Sequence, residues 1–334
     1  MRKNVKETSV NTQRIPVSQI IKKKLTREKV HKFIFGSREK EGAGKQIVVY
    51  ALLICIGFIY LYPIFYMIAT SFMNTEDILD SSVKWIPSSF YLDNYKAAAS
   101  SMDFIPSFLK GIIIAGVPTI LNVIVCMIVG YGFARYEFKG KKIFLGLLLM
   151  TYILPSQVTM IPTYVHFNNL KILGTLWTFI LPALFGNGLN SAIFILIFYQ
   201  FFKQVPKVLM EAAYIDGAGH FKAFLKIAIP SAGPAILTVA LFSFVWYWNE
   251  SYLTELYVQG LSTKSNWTNL VIKLKDFASR SFSDRVEVGD SAVSLNESVR
   301  MAATNLSILP LTIMYLILQK YFVESIDRTG ITGE

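Results

Sequence analysis

The chain has 334 residues, of which 53% are hydrophobic and only 16% charged. Soluble domains carry about 25% charged residues, so this composition argues against an ordinary soluble enzyme. The net charge is +11, but residues 1–46 hold 13 Lys/Arg against 4 Glu and supply +9 of it, which is not the pattern of a uniformly basic nucleic-acid binder. Cys55 and Cys126 both lie in apolar runs and suggest no disulfide framework, zinc site or thiol chemistry.

The N-terminal segment is densest in charge at Lys22, Lys23, Lys24, Arg27, Lys29 and Lys32. It reads as a cytoplasmic tail, or as an anchor on anionic lipid, where each basic residue adds about 1 kcal/mol. It has no short apolar stretch followed by small residues, so no cleaved signal peptide is expected. Six uncharged runs follow at 47–70, 111–134, 143–165, 174–202, 230–248 and 301–318. Each is long enough to cross about 30 Å of hydrocarbon as a helix. The fourth run includes part of a turn. Pro155, Pro162, Pro182 and Pro310 fall in or near these runs. Membrane helices tolerate such breaks where neighbours satisfy the freed backbone groups.

Positive charge sets the expected orientation. With the N-terminus inside, the inner segments 1–46, 135–142, 203–229 and 319–334 carry 23 of the 33 Lys/Arg. The short loop holding Arg135, Lys139, Lys141 and Lys142 is the cleanest indicator. The expected fold is an all-α membrane protein with six transmembrane helices and both termini cytoplasmic. The organisation is a basic cytoplasmic tail at 1–46, a six-helix domain at 47–325 and a cytoplasmic tail at 326–334. Within that domain, 203–229 is a cytoplasmic loop and 249–300 an extracytoplasmic one. The latter carries six Lys/Arg, seven Asp/Glu, Trp267, Phe277 and Phe282. A structureless loop of that length is uncommon, so it is expected to fold or to contact a partner. The loop at 71–106 places Trp85, Phe90, Tyr91 and Tyr95 for the membrane interface.

No Asp, Glu, Lys or Arg occurs inside any of the six runs. Ion-coupled transporters keep ionisable groups in the membrane, and a membrane hydrolase needs a nucleophile with an activating partner. His166, at the end of the third run, is the only nearby base and reads more simply as a helix-end residue. The sequence has no phosphate-binding loop, so energy for uphill transport would have to come from another subunit.

The segment from Gln204 to Pro230 departs from a simple connector. Pro206 suits a first helical turn, Glu211, Ala212 and Ala213 favour helix, and Gly217 and Gly219 interrupt it. A second short amphipathic helix fits 221–227. The reading is a helix–turn–helix on the inner membrane face, with Gly217 permitting the sharp turn.

Its spacing, Glu211-Ala212-Ala213, Gly217, Ile227, Ile229 and Pro230, resembles the signature of ABC importer membrane subunits. The family more often has Leu where Ile229 stands. Three further stretches resemble carbohydrate importer permeases: Tyr131-Gly132-Phe133-Ala134-Arg135-Tyr136-Glu137-Phe138-Lys139-Gly140, Leu154-Pro155-Ser156-Gln157-Val158 with Ile161, Pro162 and Tyr164, and Trp248-Asn249-Glu250. The chain looks like the shorter, six-helix permease of the maltose type, with its basic tail and extended 249–300 loop as departures.

The resemblance implies a bacterial cytoplasmic-membrane subunit with no enzyme activity of its own and no metal. ATP and magnesium would be bound by two partner ATPase subunits. The other implied partners are a second, different permease and an extracytoplasmic solute-binding protein. It implies that Glu211 makes polar contacts with the ATPase and that Ala212, Ala213 and Gly217 allow close packing. Asp216 and Ala218 complete the coupling set. ATPase closure would then tilt the spans and alternate access. In such permeases the loop before the last span reaches into the binding protein. For a neutral carbohydrate, which the resemblance implies to be an oligosaccharide, uncharged polar and aromatic residues would line the path. The candidates are Asn122, Gln157, Asn187, Asn190, Trp246 and Asn249, for each of which interhelical packing is an alternative. The competing functions are the same architecture importing a non-sugar solute, and a self-sufficient secondary transporter.

Overall fold

Helices are numbered α1 to α14 in chain order. The computed structural model describes residues 36–37, 40–41, 43–80, 82–83, 85–260, 265–279, 285–288, 291–294 and 296–331. The densest part of the basic tail, residues 1–35, lies outside them, as do Lys84 and Phe282. Residues Met1–Tyr66 and Met67–Glu334 form two separate units. In the first, a minimal antiparallel pair joins Gly36–Ser37 to Lys40–Glu41 and precedes α1, Ala43–Ser71. The apolar window of α1 has 0% of its residues buried, and Pro63 sits inside the helix.

The second unit is built around α4, Phe104–Arg135, a 32-residue helix about 48 Å long at the standard helical rise. Before it come α2 (Thr75–Leu79), capped by the Asn74 side chain, and α3 (Asp93–Ser101). After it come α5 (Lys141–Ile153), α6 (Ser156–Asn169), α7 (Trp177–Leu184) and α8 (Ser191–Gln204). Next are α9 (Lys207–Ile215), α10 (His220–Ala223), a π-helical stretch Phe224–Ala228, α11 (Ile229–Ser231) and α12 (Gly233–Asn249). A second π-helical stretch, Thr254–Gly260, leads to α13 (Leu270–Ala278). The hairpin Arg285–Val288 with Ser291–Ser294 and the long α14, Glu297–Ile331, complete the chain.

Among the described residues, three helices, within Ala43–Ser71, Phe104–Arg135 and Glu297–Lys320, are long and apolar enough to cross a membrane alone, and up to six spans result if each sharply bent helix pair counts as one. The expected third run is a broken one: α5 and α6 meet at 95°. Pro155 lacks an amide hydrogen and forces Leu154 into an extended conformation (φ −65°, ψ 122°). The expected fourth run, 174–202, is also interrupted. Gly186 (φ 71°) and Asn190 (φ 56°) adopt left-handed conformations between α7 and α8, which ends one helix and starts another. Instead, α8 pairs with α9 across a 71° bend, and the His220–Ser231 segment meets α12 at 74°. Pro118, Pro162, Pro182 and Pro310 all stay inside helices.

Two apolar clusters sit along α4. Towards its Arg135 end, Val123, Cys126, Met127 and Tyr131 pack with Phe194, Ile195, Phe198 and Phe202 of α8, and with Met210, Ala213 and Phe224 beyond it. Towards its Phe104 end, Ile114 and Ala115 pack with Phe179, Tyr247, Trp248, Tyr257, Val258 and Leu270. A third cluster joins Ala97, Ala98 and Met102 to Phe277, Val299, Ala302 and Ala303. The small residues on α3 and α14 allow those helices to approach closely.

Candidate functional site

The segment that follows α8 forms a hairpin. Gly217 takes the left-handed conformation (φ 79°) directly after α9. Its amide donates to the Tyr214 carbonyl at 3.1 Å, and the Ala218 amide donates to the Ala213 carbonyl at 2.9 Å. This pair of bonds is the Schellman helix stop, which favours glycine because other residues pay for positive φ. A Cβ placed on Gly217 would meet nothing within 4 Å, so conformation, not space, is what selects glycine there. Gly219 has ordinary extended geometry (φ −70°). The second arm begins as helix but continues as the π-helical stretch Phe224–Ala228, where a regular amphipathic helix was expected.

The arms are tied together: His220 Nδ1 lies 3.0 Å from Tyr214 Oη. They present two faces. Met210, Ala213, Ala223 and Phe224 are buried against the chain's own core. Glu211, Ala212, Asp216 and Gly217 are exposed, together with Val208 (70%), Ile215 (87%) and Phe221 (73%). The predicted coupling set therefore divides. Ala213 lies three residues from Met210, on the same helix face, and its small side chain serves packing within the chain. Ala218 is half-buried beside it.

The hairpin rests on the last turn of α4. Arg135 Nη2 donates to the Val205 carbonyl at 2.8 Å. The Tyr131 ring lies 4.6 Å from that of Phe224, and the Tyr136 ring 6.1 Å from His220. Just above, a Cβ on Gly130 would stand 2.6 Å from Phe198 Cβ and 2.9 Å from the Ile195 carbonyl oxygen, so α4 and α8 touch backbone to backbone. In the following loop, a 2.8 Å bond from Lys141 Nζ holds the exposed Glu137 carboxyl below its ordinary pKa range. The 131–140 motif was legible, but its service as the seat of the hairpin was not. That role needs residues about 70–90 positions apart to meet.

A second polar site lies deeper. Asn122, fully buried, accepts at Oδ1 from Ser191 Oγ at 2.6 Å and from Cys126 Sγ at 3.2 Å. Its Nδ2 donates to the Leu189 carbonyl at 3.2 Å and to Ser243 Oγ at 3.3 Å. Tyr247 Oη accepts the Leu189 amide at 3.0 Å. Gly188 fits beneath this group: a Cβ there would be 2.7 Å from Tyr247 Oη. Every polar atom of the Asn122 side chain is thus engaged in joining α4, α8, α12 and the turn before α8. Of the other pathway candidates, Asn187 and Asn190 sit exposed in that same turn and Asn249 is exposed at the end of α12. Trp246 is half-buried with its ring 5.3 Å from that of Phe194. Gln157 is apart from this group, exposed on α6 just beyond the Pro155 break. Ser191, Ser243, Tyr247 and Gly188 were not singled out from sequence, since nothing local distinguishes them from ordinary helix residues.

The chain is 27% identical over 86% of its length, and 98% of the other's, to the polygalacturonan/rhamnogalacturonan transport system permease protein YtcP of Bacillus subtilis. It is 26% identical over 83% of its length, and 93% of the other's, to the arabinooligosaccharides transport system permease protein AraQ of Halalkalibacterium halodurans. Its fold matches a chain in the crystal structure of a bacterial ABC transporter involved in the import of the acidic polysaccharide alginate, with a TM-score of 0.69 at 23% identity, covering 86% of this chain and 98% of that one. Residues 122–328, which run from the buried asparagine through the hairpin and into α14, match the family described as binding-protein-dependent transport system inner membrane component. The chain belongs to that family, as an ABC transporter permease.

Proposed function

We propose that this chain is one of two different permease subunits of an ATP-driven, binding-protein-dependent importer of oligosaccharides in the bacterial cytoplasmic membrane. Six spans cross the bilayer with both termini cytoplasmic, three of them bent or broken. The 203–229 hairpin faces the cytoplasm and docks on one of two ATPase subunits, which bind ATP and magnesium. The observation that carries this reading is the hairpin's divided surface. One face is sealed on α4, while Val208, Ile215 and Phe221 stand exposed around Glu211 and Asp216. An apolar patch of that kind marks a protein contact, and the hairpin bears the family's signature spacing. Glu211, Ala212, Asp216 and Gly217 form the contact; Ala213 and Ala218 shape it from within.

The carbohydrate assignment is supported by the relatives, which carry polygalacturonan or arabino-oligosaccharides. It is also supported by runs that contain uncharged polar and aromatic groups and no Asp, Glu, Lys or Arg. That absence disfavours ion coupling within the membrane. Asn122 acts as interhelical glue in this reading, since its hydrogen-bonding capacity is already used. The sugar path is left to the exposed Asn187, Asn190, Asn249 and Gln157 and the edge of Trp246.

The test is co-expression with the neighbouring transporter genes. The chain is expected to retain an ATPase on purification and to support uptake of labelled oligogalacturonides or arabino-oligosaccharides. Gly217→Val forces a β-branched residue into positive φ and should abolish uptake while membrane insertion persists. Normal uptake and ATPase retention by that variant would refute the docking role. Uptake that survives deletion of the ATPase would refute the importer reading altogether.

A further inference from the structure

Pro206 interrupts the backbone between α8 and α9, which meet at 71°. A helix end leaves its last carbonyls without amide partners, and Pro206 supplies no N–H. The Val205 carbonyl, at the joint itself, is satisfied from outside the segment by Arg135 Nη2 at 2.8 Å. The guanidinium also places positive charge at the C-terminal end of the α8 dipole. Its Nε is buried with no hydrogen-bond partner among the described residues. Arg135 as a whole is half-buried, but an unpaired buried donor is costly, and the directional bond across the joint offsets that cost.

Of the other contacts to the hairpin, Tyr131 on Phe224 and Tyr136, just past α4, on His220 are ring contacts, which tolerate sliding. The Tyr131 hydroxyl also bonds to the Tyr214 side chain, but Tyr214 stands near the far end of α9, away from the joint. The seam between α4 and α8 at Gly130 is tight, but it lies above the joint. Among the described residues, only the Arg135 bond both crosses from α4 and ends on the hinge residue.

We propose that Arg135 is a positioning residue for energy coupling: it locks the α8–α9 angle to α4, so that a push on the hairpin turns α4 and α8 as one body. This rests on the hairpin being the ATPase contact. Without the lock, the hairpin would flex at Val205–Pro206, and ATPase closure would be spent there instead of on the spans.

The experiment uses the complete complex in lipid nanodiscs, in a Cys55→Ser background, because Cys55 is exposed and Cys126 buried. Spin labels are placed at Val208→Cys and Ile128→Cys, positions 70% and 51% exposed. Distances are measured without nucleotide and after trapping with ATP and vanadate. With Arg135 present, the distance should not change on trapping. With Arg135→Met, which keeps the apolar stem and loses every donor, it should shift or broaden on trapping while the ATPase subunits remain bound. Arg135→Lys, which keeps a charged donor group, should restore the parent behaviour. An unchanged distance in Arg135→Met overturns the proposal, as does a distance that already changes in the parent. Loss of the ATPase from both variants also overturns it, because Arg135 would then be needed for assembly. A parent complex that binds no ATPase would instead sink the docking role of the hairpin, a separate result.

Discussion

The hairpin at one end of α4 and the cap at the other are built from similar residues to opposite effect. The cap comprises the Thr254–Gly260 stretch, packed on Phe167 of α6 and Phe179 of α7, and α13, packed on α3 and the start of α14. Val258, Leu270 and Ile272 are at most 1% exposed, and Phe277 is 3% exposed. Its charges are tied back too: Lys273 to Asp103 at 2.8 Å, Lys275 to Glu255 at 2.6 Å, and Lys110 Nζ to the Asn266 carbonyl at 2.6 Å. The hairpin leaves Ile215 and Phe221 exposed at 87% and 73%. One region has satisfied its apolar surface within the chain; the other leaves part of it exposed, the part proposed above to dock on the ATPase. Hydropathy does not separate them, since both are amphipathic segments joining two spans. What separates them is whether an apolar face finds α4 and its neighbours on one side or on both.

The largest expected effect tests that contrast directly. Leu270→Ala removes a fully buried side chain and should cost about 2–5 kcal/mol, read as an earlier thermal unfolding of the purified complex. Ile215→Ala should leave the permease's own unfolding unchanged and instead weaken ATPase retention. Equal destabilisation by the two would erase the distinction between cap and hairpin.

Next in size is the seam between α4 and α8 just above the hairpin. At Gly130 an added methyl meets Phe198 Cβ and the Ile195 carbonyl, both fixed parts of α8. Gly130→Ala should cost about 1–3 kcal/mol as overpacking. Gly116→Ala, on the same helix with nothing within 4 Å of the added atom, is the matched control. It should be neutral or slightly stabilising, as alanine is the better helix former. Similar melting for the two variants would show that α4 and α8 are not in backbone contact.

The smallest effect concerns the cap's charges. The Lys273–Asp103 pair is partly exposed, at 26% and 64%, and such pairs contribute about 0–1 kcal/mol. Lys273→Met should shift unfolding only slightly, and less so in high salt. A shift as large as that of Leu270→Ala would mean that ion pairs, not apolar packing, hold the cap.

How far the sequence could be read differs between these regions. The hairpin was legible at Pro206, Glu211 and Gly217 because helix starts and stops are local chemistry: a missing N–H, a left-handed φ. The inward turn of Ala213 was not, since Glu211, Ala212 and Ala213 all favour helix equally. Only the neighbour that packs on one side distinguishes them. Pro155 was recognised as a possible break, but the 95° turn it produces depends on what the flanking helices rest against. Asn122 entered as a sugar-path candidate because an uncharged polar residue inside a span suits either role. The meeting with Ser191, Ser243 and Leu189, across separations of 67 to 121 residues, supports the packing role over the sugar path.

The sequence by itself determined that the chain is a helical membrane protein, that its long apolar runs carry no charge, and that one connector is a helix–turn–helix with a glycine stop. Those properties follow from composition, run length and backbone chemistry, which act within a few residues of one another. The tertiary structure alone decided which spans break and how sharply. It also decided which face of the hairpin is kept free, and that Arg135 and Gly130 bind the hairpin's root to α4. These are contacts between segments far apart in the chain, and short-range preference carries no record of which segment will be on the other side.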